Sequence, residues 1–481
     1  IHITTPGALL LTSRGVVPHL SPDHTAGRNK AQSIDIPFES FIENLPPIPV
    51  SYAHAAHAQP GKYNATTPLH SLLGYPADRT ILSMCLRSLS DNASLAPSGH
   101  TYTCARCVRG MKKVMEVSAW TSYALSCAPD IVYALSDALV PGTRSQKRVT
   151  KSLERGARWL NDLMYAAQCQ PTVNQSTSPA TGPIPILLPM AGSLVPAARH
   201  AFAEQILEPF DERDSLRFGA KMNKLDDGVS GYVFELNGMR ENSAEVDSTL
   251  PVPPSEENAL HFGDAPTTPA SLMRASLGPL PVQKPRYVRG VAGPHEILRL
   301  VRDVGVDVVD AWFAQVAANW GIELDFSFPV DASITGKRDL GHNLYAKEYA
   351  EDMHALSTVP KSEIVPLVHA QVDIGTWTEE AIEPEGPKRA YLHHLLHTHE
   401  MGAHALLVLH NLEVVDQFMK GVRGAIANNS FGSALVDFET AYREDSIGVE
   451  GCEPSGVFAE AKRMWHEVDM ARGRGRLARE R

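Results

Sequence analysis

The sequence predicts an α/β protein built on a closed parallel (β/α)8 barrel, and three observations carry that expectation. Short apolar runs recur with helical stretches between them, in the order strand, loop, helix, strand that builds parallel β/α units. Their number favours a barrel over an open sheet. Three of the runs end in an acid, Asp137, Glu235 and Asp310, and in such a barrel the reactive groups lie at the carboxyl ends of the strands.

The elements follow in order. Ile1 to Asp23 has short apolar runs broken by Pro6, Gly15 and Pro18, which suits a β-rich hairpin ahead of the barrel. Gln32 to Leu73 is Pro-rich and reads as irregular, and Thr80 to Ser88 as a strand or short helix. Pro129 to Asp137 is a strand closed by an acid, followed by a basic helix from Arg144 to Met164. Pro183 to Gly192 is a strand, Ala197 to Phe210 a helix, and Gly228 to Leu236 another strand. Tyr287 to Val291, His295 to Val304 and Gly305 to Val309 repeat strand, helix, strand, and Leu324 to Val330 is apolar again. Polar, Pro-rich inserts fall at 171–182 and 239–284. Ser333 to Lys388 reads as irregular, Arg389 to Ile426 as a helix pair, and Phe431 to Asp469 as one or two helices. The expected division is therefore a barrel over 1–330 and a helical subdomain over 331–481.

Apolar content of 43% and charged content of 21% are those of an ordinary globular chain, and no apolar run is long enough to span a bilayer. No secretory signal is visible in Ile1 to Asp23. A net charge of −11 excludes nucleic-acid binding by bulk field, so any RNA contact needs a local basic patch. Arg144, Lys147, Arg148, Lys151 and Arg155 provide one, and at helical spacing most of them share a face that could track phosphates. The tail, with Arg472, Arg474, Arg476, Arg479 and Arg481, is a second. The six cysteines suit free thiols, and the lone C-A-R-C at Cys104 and Cys107 is weak evidence for redox or zinc chemistry.

On the helix from Arg389, Leu392, Leu395, Leu396, His399, Ala403, Leu406, Leu407 and His410 recur at steps of three and four and form one face. His393, His397, Glu400 and His404 form another. His399, Glu400 and His404 spell H-E-x-x-x-H, one residue longer than the zinc-protease spacing, so the second face is expected to be solvated or to meet a partner.

R-A-Y-L-H-H-L-L, E-M-G-A and L-H-N-L in this stretch resemble the C-terminal region of the queuine and archaeosine tRNA-ribosyltransferase family. T-P, T-S-R-G and V-P-H-L near the start, and Lys284 to Trp312, KPRYVRGVAGPHEILRLVRDVGVDVVDAW, resemble the same family. The resemblance implies a TIM-type barrel with a zinc-bearing helical subdomain. It makes Asp310 the match of the family's nucleophile, and His410 the match of the fourth zinc ligand. A carboxylate nucleophile splits glycosyl transfer into two easier substitutions, but a second acid and a base-reading pocket must assist it.

Those assistants are missing. Neither D-S-G-G-F/Y-Q nor G-G-L-x-x-G-E occurs. Gly231-Tyr232-Val233-Phe234-Glu235-Leu236-Asn237 stands where the latter is expected, with bulky side chains that should fill a pocket, and Ala314-Gln315-Val316 replaces P-T-R. Gly321 to Pro329 and Asn343 to Asp352 fit the family's non-catalytic accessory branch. The expected function is accordingly support of a catalytic homologue, as a heterodimer, in exchanging guanine for queuine at the wobble position of tRNA. A homodimer, a cytoplasmic location and association with the mitochondrial outer surface go with that resemblance. The alternative is an active transglycosylase that uses Asp310, with Glu235 or Asp137 as its acid. The zinc also stands apart from the family pattern, because no cysteine lies between Val330 and His410. Either the metal is lost or a cysteine-bearing loop is lacking between His354 and Arg389.

Overall fold

A computed structural model gives the architecture. It describes the chain except residues 27–31, 60–61, 63, 65, 90–96, 98, 108–111, 138, 140–144, 170–183, 241–267, 357–385, 450–451 and 480–481, and the side chains of 112 and 471–479.

Eight parallel strands close a barrel: β1 (Gly7–Leu11), β2 (Gln32–Pro37), β3 (Thr80–Cys85), β6 (Ile131–Tyr133), β7 (Ile186–Pro189), β8 (Gly231–Glu235), β9 (Arg286–Arg289) and β10 (Val308–Asp310). β10 closes on β1 with Gly7 opposite Val308 and Leu9 opposite Asp310. Between β3 and β6 stands an antiparallel hairpin, β4 (Tyr102–Arg106) and β5 (Lys112–Glu116). The helices are α1 (Pro22–Ala26), α2 (Ile48–Ala58), α3 (Pro68–Leu73), α4 (Val117–Cys127), α5 (Gln146–Cys169), α6 (Pro196–Leu207), α7 (Glu212–Phe218), α8 (Pro269–Leu277), α9 (Pro294–Val304) and α10 (Trp312–Asn319).

The period of two along each strand sorts the core. Outward residues such as Ile34, Ile36, Leu82, Met84, Leu188, Tyr232, Phe234 and Val288 join the large cluster under the helices. Inward ones form two small clusters, Cys85, Tyr133, Leu187 and Val233 in one, and Leu9, Leu11 and Val308 in the other. Tyr232 and Phe234 therefore do not fill the barrel mouth as their bulk suggests; Val233 points inward between them.

Three expectations need correcting. Ile1 to Asp23 is not a hairpin ahead of the barrel: β1 is itself a barrel strand, flanked by β10 and β2, and only Ser13 and Val16 form an antiparallel bridge. The Pro-rich stretch from Gln32 is not irregular, since it supplies β2, α2 and α3, with Pro within the first turn of each of the two helices, where no amide partner is lost. The 239–284 insert contains α8, opened by a Thr268–Ser271 capping box.

After the barrel, β11 (Ile322–Leu324) pairs antiparallel with β12 (Gly341–Asn343). Among the described residues four helices follow: α11 (Arg389–His397), α12 (Met401–Ala427), α13 (Phe431–Ala441) and α14 (Gly456–Arg479). The helix pair breaks at His399, whose φ of 60° takes the left-handed region, so the apolar face is not continuous through it. α12 lies tight on the chain leaving the barrel: a Cβ at Gly421 would sit 1.6 Å from the Phe328 carbonyl oxygen. No described helix is long and apolar enough to cross a membrane.

Candidate functional site: the barrel mouth and the C-terminal seam

Asp310 ends β10 and points into the barrel, with no exposed surface. Its Oδ1 accepts the Trp312 amide at 2.8 Å, and its Oδ2 accepts the amides of Gly290 and Val291, the latter at 3.3 Å. Burial pushes its carboxyl up to about 6, against the pull of those amides. A nucleophile must present a lone pair to the ribose carbon, and here both oxygens tie the β9–α9 and β10–α10 loops together. Gln315, in place of the family's P-T-R, is buried and donates to the Leu11 carbonyl at 3.1 Å.

Beside Asp310, Arg289 occupies the floor of the mouth, 2% exposed. It reaches Asp35 at 2.9 Å and Glu235 at 3.0 Å, and lies over the Tyr133 ring at 5.6 Å. Asp35 also accepts the Ser83 hydroxyl at 3.1 Å and the Cys85 thiol at 3.4 Å. Burial works against the Arg289 charge, yet Asp35, Cys85 and Glu235 together hold it well above its usual range. Asp137 is bracketed from the other side: Arg148 binds it through both oxygens at 2.6 and 2.8 Å, and Arg155 adds a bond at 2.8 Å. The two acids considered as helpers, Glu235 and Asp137, are thus both engaged by arginine, which ties up oxygens a general acid would present to the substrate.

The basic helix is divided by the same bonds. Arg155 is buried and also donates to the Pro97 carbonyl at 2.6 Å, so it faces the core, contrary to its expected place on a phosphate track. Arg148 is half committed. Lys147 and Lys151 are exposed on the outer face of α5, with Arg158 further along, and Arg144 lies outside the described residues.

At the seam between barrel and helices, His410 is fully buried on α12, its Nε2 donating to the Leu324 carbonyl at 2.9 Å. Burial lowers its pKa. The zinc implied by the resemblance does not fit these residues. His410 spends a ring nitrogen on backbone, no group of three or more His, Cys, Asp or Glu among the described residues could hold an ion, and the nearest cysteines in sequence are Cys169 and Cys452. The stretch 357–385 lies outside the described residues.

Neighbouring groups hold the seam instead. Asn411 accepts from the Leu324 amide at 2.9 Å and donates to the Ala314 and Ile322 carbonyls at 3.1 and 3.0 Å. Arg389 grips the buried Glu323 at 2.6 and 3.1 Å. On the second histidine face, expected to be solvated or partner-facing, His397 and Glu400 are exposed and His393 and His404 half-buried; His393, His397 and His404 bond the carbonyls of Leu344, Tyr345 and Ala318, and His404 stacks on His19 at 5.1 Å. Cys104 and Cys107 are buried free thiols.

Sequence reasoning missed Asp35, Arg289 and Glu323. A usable signal existed for the first two: in Q-S-I-D-I-P the polar residues alternate with isoleucines, and Arg289 ends a strand on its inward side.

The structure thus defines a closed parallel barrel in which Asp310 is held by backbone amides, and Glu235 and Asp137 by arginines. Comparison with known proteins sharpens this. The profile of the family described as Queuine tRNA-ribosyltransferase matches residues 385–444. The chain is 25% identical to Queuine tRNA-ribosyltransferase accessory subunit 2 of Schizosaccharomyces pombe, over 94% of its own length and 81% of the relative's. It is 25% identical to the protein of that name in Ixodes scapularis, over 88% of this chain and 89% of the relative, and 24% identical to that of Danio rerio, over 71% and 74%. The resemblance read from the sequence therefore extends over most of the chain, and it is to the accessory subunits.

Proposed function

We propose that this chain is a non-catalytic accessory subunit that pairs with a catalytic tRNA-guanine transglycosylase and supports its exchange of guanine for queuine at the wobble position of tRNA. One observation carries the reading: Asp310, the residue that matches the nucleophile, is fully buried with both oxygens capped by amides, while Arg289 holds Asp35 and Glu235 beside it. The names of the relatives agree with it. In this reading the partner is a catalytic homologue in a heterodimer. tRNA phosphates meet the exposed Lys147 and Lys151 of α5, and the complex works in the cytoplasm or at the mitochondrial outer surface.

The test combines native mass measurement with exchange of labelled guanine in tRNA. The chain and its catalytic homologue should form one complex that turns over, while the chain alone should not. Turnover by this chain alone would overturn the proposal. Within the complex, Asp310→Asn should leave exchange within about twofold, because the residue acts on its own loops; a collapse of exchange with the fold intact would restore the catalytic alternative.

A further inference from the structure

Two histidines of α11 hold their rings in a fixed arrangement that leaves one nitrogen of each without a hydrogen bond. His393 and His397 stand one helical turn apart, at i and i+4, and so share a face. Their ring centres are 4.4 Å apart, with the planes at 62°. The His393 Nδ1 bonds the Leu344 carbonyl at 2.9 Å, and the His397 Nε2 bonds the Tyr345 carbonyl at 3.2 Å, on the chain just after β12. A carbonyl only accepts, so these contacts fix the proton on Nδ1 of His393 and on Nε2 of His397. The Nε2 of His393 and the Nδ1 of His397 keep their lone pairs, and neither takes a hydrogen bond among the described residues.

Imidazoles that bind a metal ion are held in the same way. A ligating histidine almost always gives its second N–H to a backbone carbonyl, a carboxylate or water, which sets the tautomer and the ring orientation. The separation fits as well: two imidazoles at right angles around one ion, with metal–nitrogen bonds of about 2.1 Å, place their ring centres about 4.5 Å apart. His393 is half-buried and His397 exposed, so an ion can reach them from solvent. The rest of the histidine face is separate from this pair. α11 ends at His397, the left-handed turn at His399 redirects the chain, and His404 on α12 bonds the Ala318 carbonyl and stacks on His19.

We propose that His393 and His397 chelate one late first-row divalent ion, Cu²⁺ most tightly and then Ni²⁺ or Zn²⁺, with water completing the coordination. Imidazole selects these ions over Mg²⁺ and Ca²⁺, which take oxygen ligands. Two protein ligands are fewer than the three or four of resident catalytic and structural zinc sites, so the ion exchanges with solvent and leaves with chelator. Bound, it ties together the last turn of α11 and stabilises the folded chain by mass action. The site is distinct from His410, whose Nε2 is spent on the Leu324 carbonyl, and it is independent of the accessory role.

Titration of the metal-free full chain with Cu²⁺ at neutral pH, followed by calorimetry and electron paramagnetic resonance, tests it. Two variants keep the hydrogen bonds to backbone while removing the coordinating nitrogen: the amide nitrogen takes the place of Nδ1 in His393→Asn and of Nε2 in His397→Gln. Without metal, both should unfold at the parent's midpoint. In the parent, a first equivalent of Cu²⁺ should bind with the spectroscopic signature of nitrogen ligation, and each variant should weaken that equivalent about tenfold or more. His394→Ala, roughly 100° round the helix, should leave it unchanged, and excess Mg²⁺ should not displace it. Absence of binding at about 100 µM Cu²⁺ overturns the inference. So does a first equivalent that is indifferent to either variant, or that His394→Ala weakens as much; the accessory role keeps its own test in each case.

Discussion

At the barrel mouth Arg289 is gripped by Asp35 and Glu235; at the C-terminal seam Arg389 is gripped by Glu323, and Asn411 brackets three backbone groups beside it. Both places bury charge, but they occupy different points in the argument from sequence to function. The mouth is where a barrel of this kind does chemistry, and its ion pairs consume the groups chemistry would need. The seam is where the resemblance puts a metal, and its hydrogen bonds do the joining. A buried ion pair contributes little net stability against an apolar alternative, whereas removing one partner is expensive. The two regions should therefore respond to substitution in ways that separate closure from joining.

The largest effect is expected at the mouth. Arg289→Ala leaves Asp35, which has no exposed surface, without its counter-charge, and should destabilise the fold by roughly 3–5 kcal/mol in denaturant unfolding. The double variant with Asp35→Ala should cost clearly less than the sum of the single changes. Additive losses would mean that the pair is not the unit described.

Acid should pull the two regions in opposite directions. Burial raises the Asp310 carboxyl from 3.8 to about 6, so its contribution is fully present below 3.8 and is lost as pH rises through about 6, on the order of 3 kcal/mol. His410 is lowered from 6.5 by burial, so its contribution is present above 6.5 and lost as pH falls through its folded value. Between about pH 4 and 6.5, Asp310→Asn should therefore make stability fall more steeply with acid than in the parent, and His410→Asn should flatten that fall. Urea unfolding across this window reads both slopes, and equal slopes in all three proteins would remove the assignment.

A smaller loss, roughly 2–3 kcal/mol, is expected for Asn411→Ala, which leaves the Leu324 amide and two carbonyls without partners in a dry seam. Hydrogen exchange should localise the loosening to β11 and α12, with the barrel strands still protected.

The same contrast explains which features the sequence disclosed. β6 to β10 were legible because each is a short apolar run closed by an acid, glycine or proline, and α5 and α9 between them are amphipathic, whereas α8 was hidden in an insert that reads as polar loop. β1 and β2 were not. A short apolar run does not say whether its neighbour is parallel or antiparallel, and prolines that begin helices α2 and α3 look like loop residues before the helices are known. Asp310 and His410 could be named from their motifs, yet nothing local says that three amides cap one and a carbonyl takes the other. Arg289 and Asp35 lie on strands distant in sequence, and only barrel closure brings them within 2.9 Å. Arg155 shares its helix with Lys147 and Lys151, but the helical period alone cannot tell which face carries the exposed charges once Asp137 draws two of its arginines inward.

The smallest expected effect is the most discriminating for the seam. If the joining is done by Asn411, by Arg389 with Glu323, and by the His410 bond to Leu324, removal of divalent metal has nothing to remove. A structural zinc would make the unfolding midpoint depend on free metal, since any ion bound only by the folded state adds stability by mass action. The midpoint in a large excess of chelator should therefore stay within about 1 °C of the untreated value, and elemental analysis of the same sample should give well under one zinc per chain. A drop of several degrees that is reversed by added zinc would instead show that His410 has ligand partners, with 357–385 as the first place to seek them by substituting His369 and Asp373.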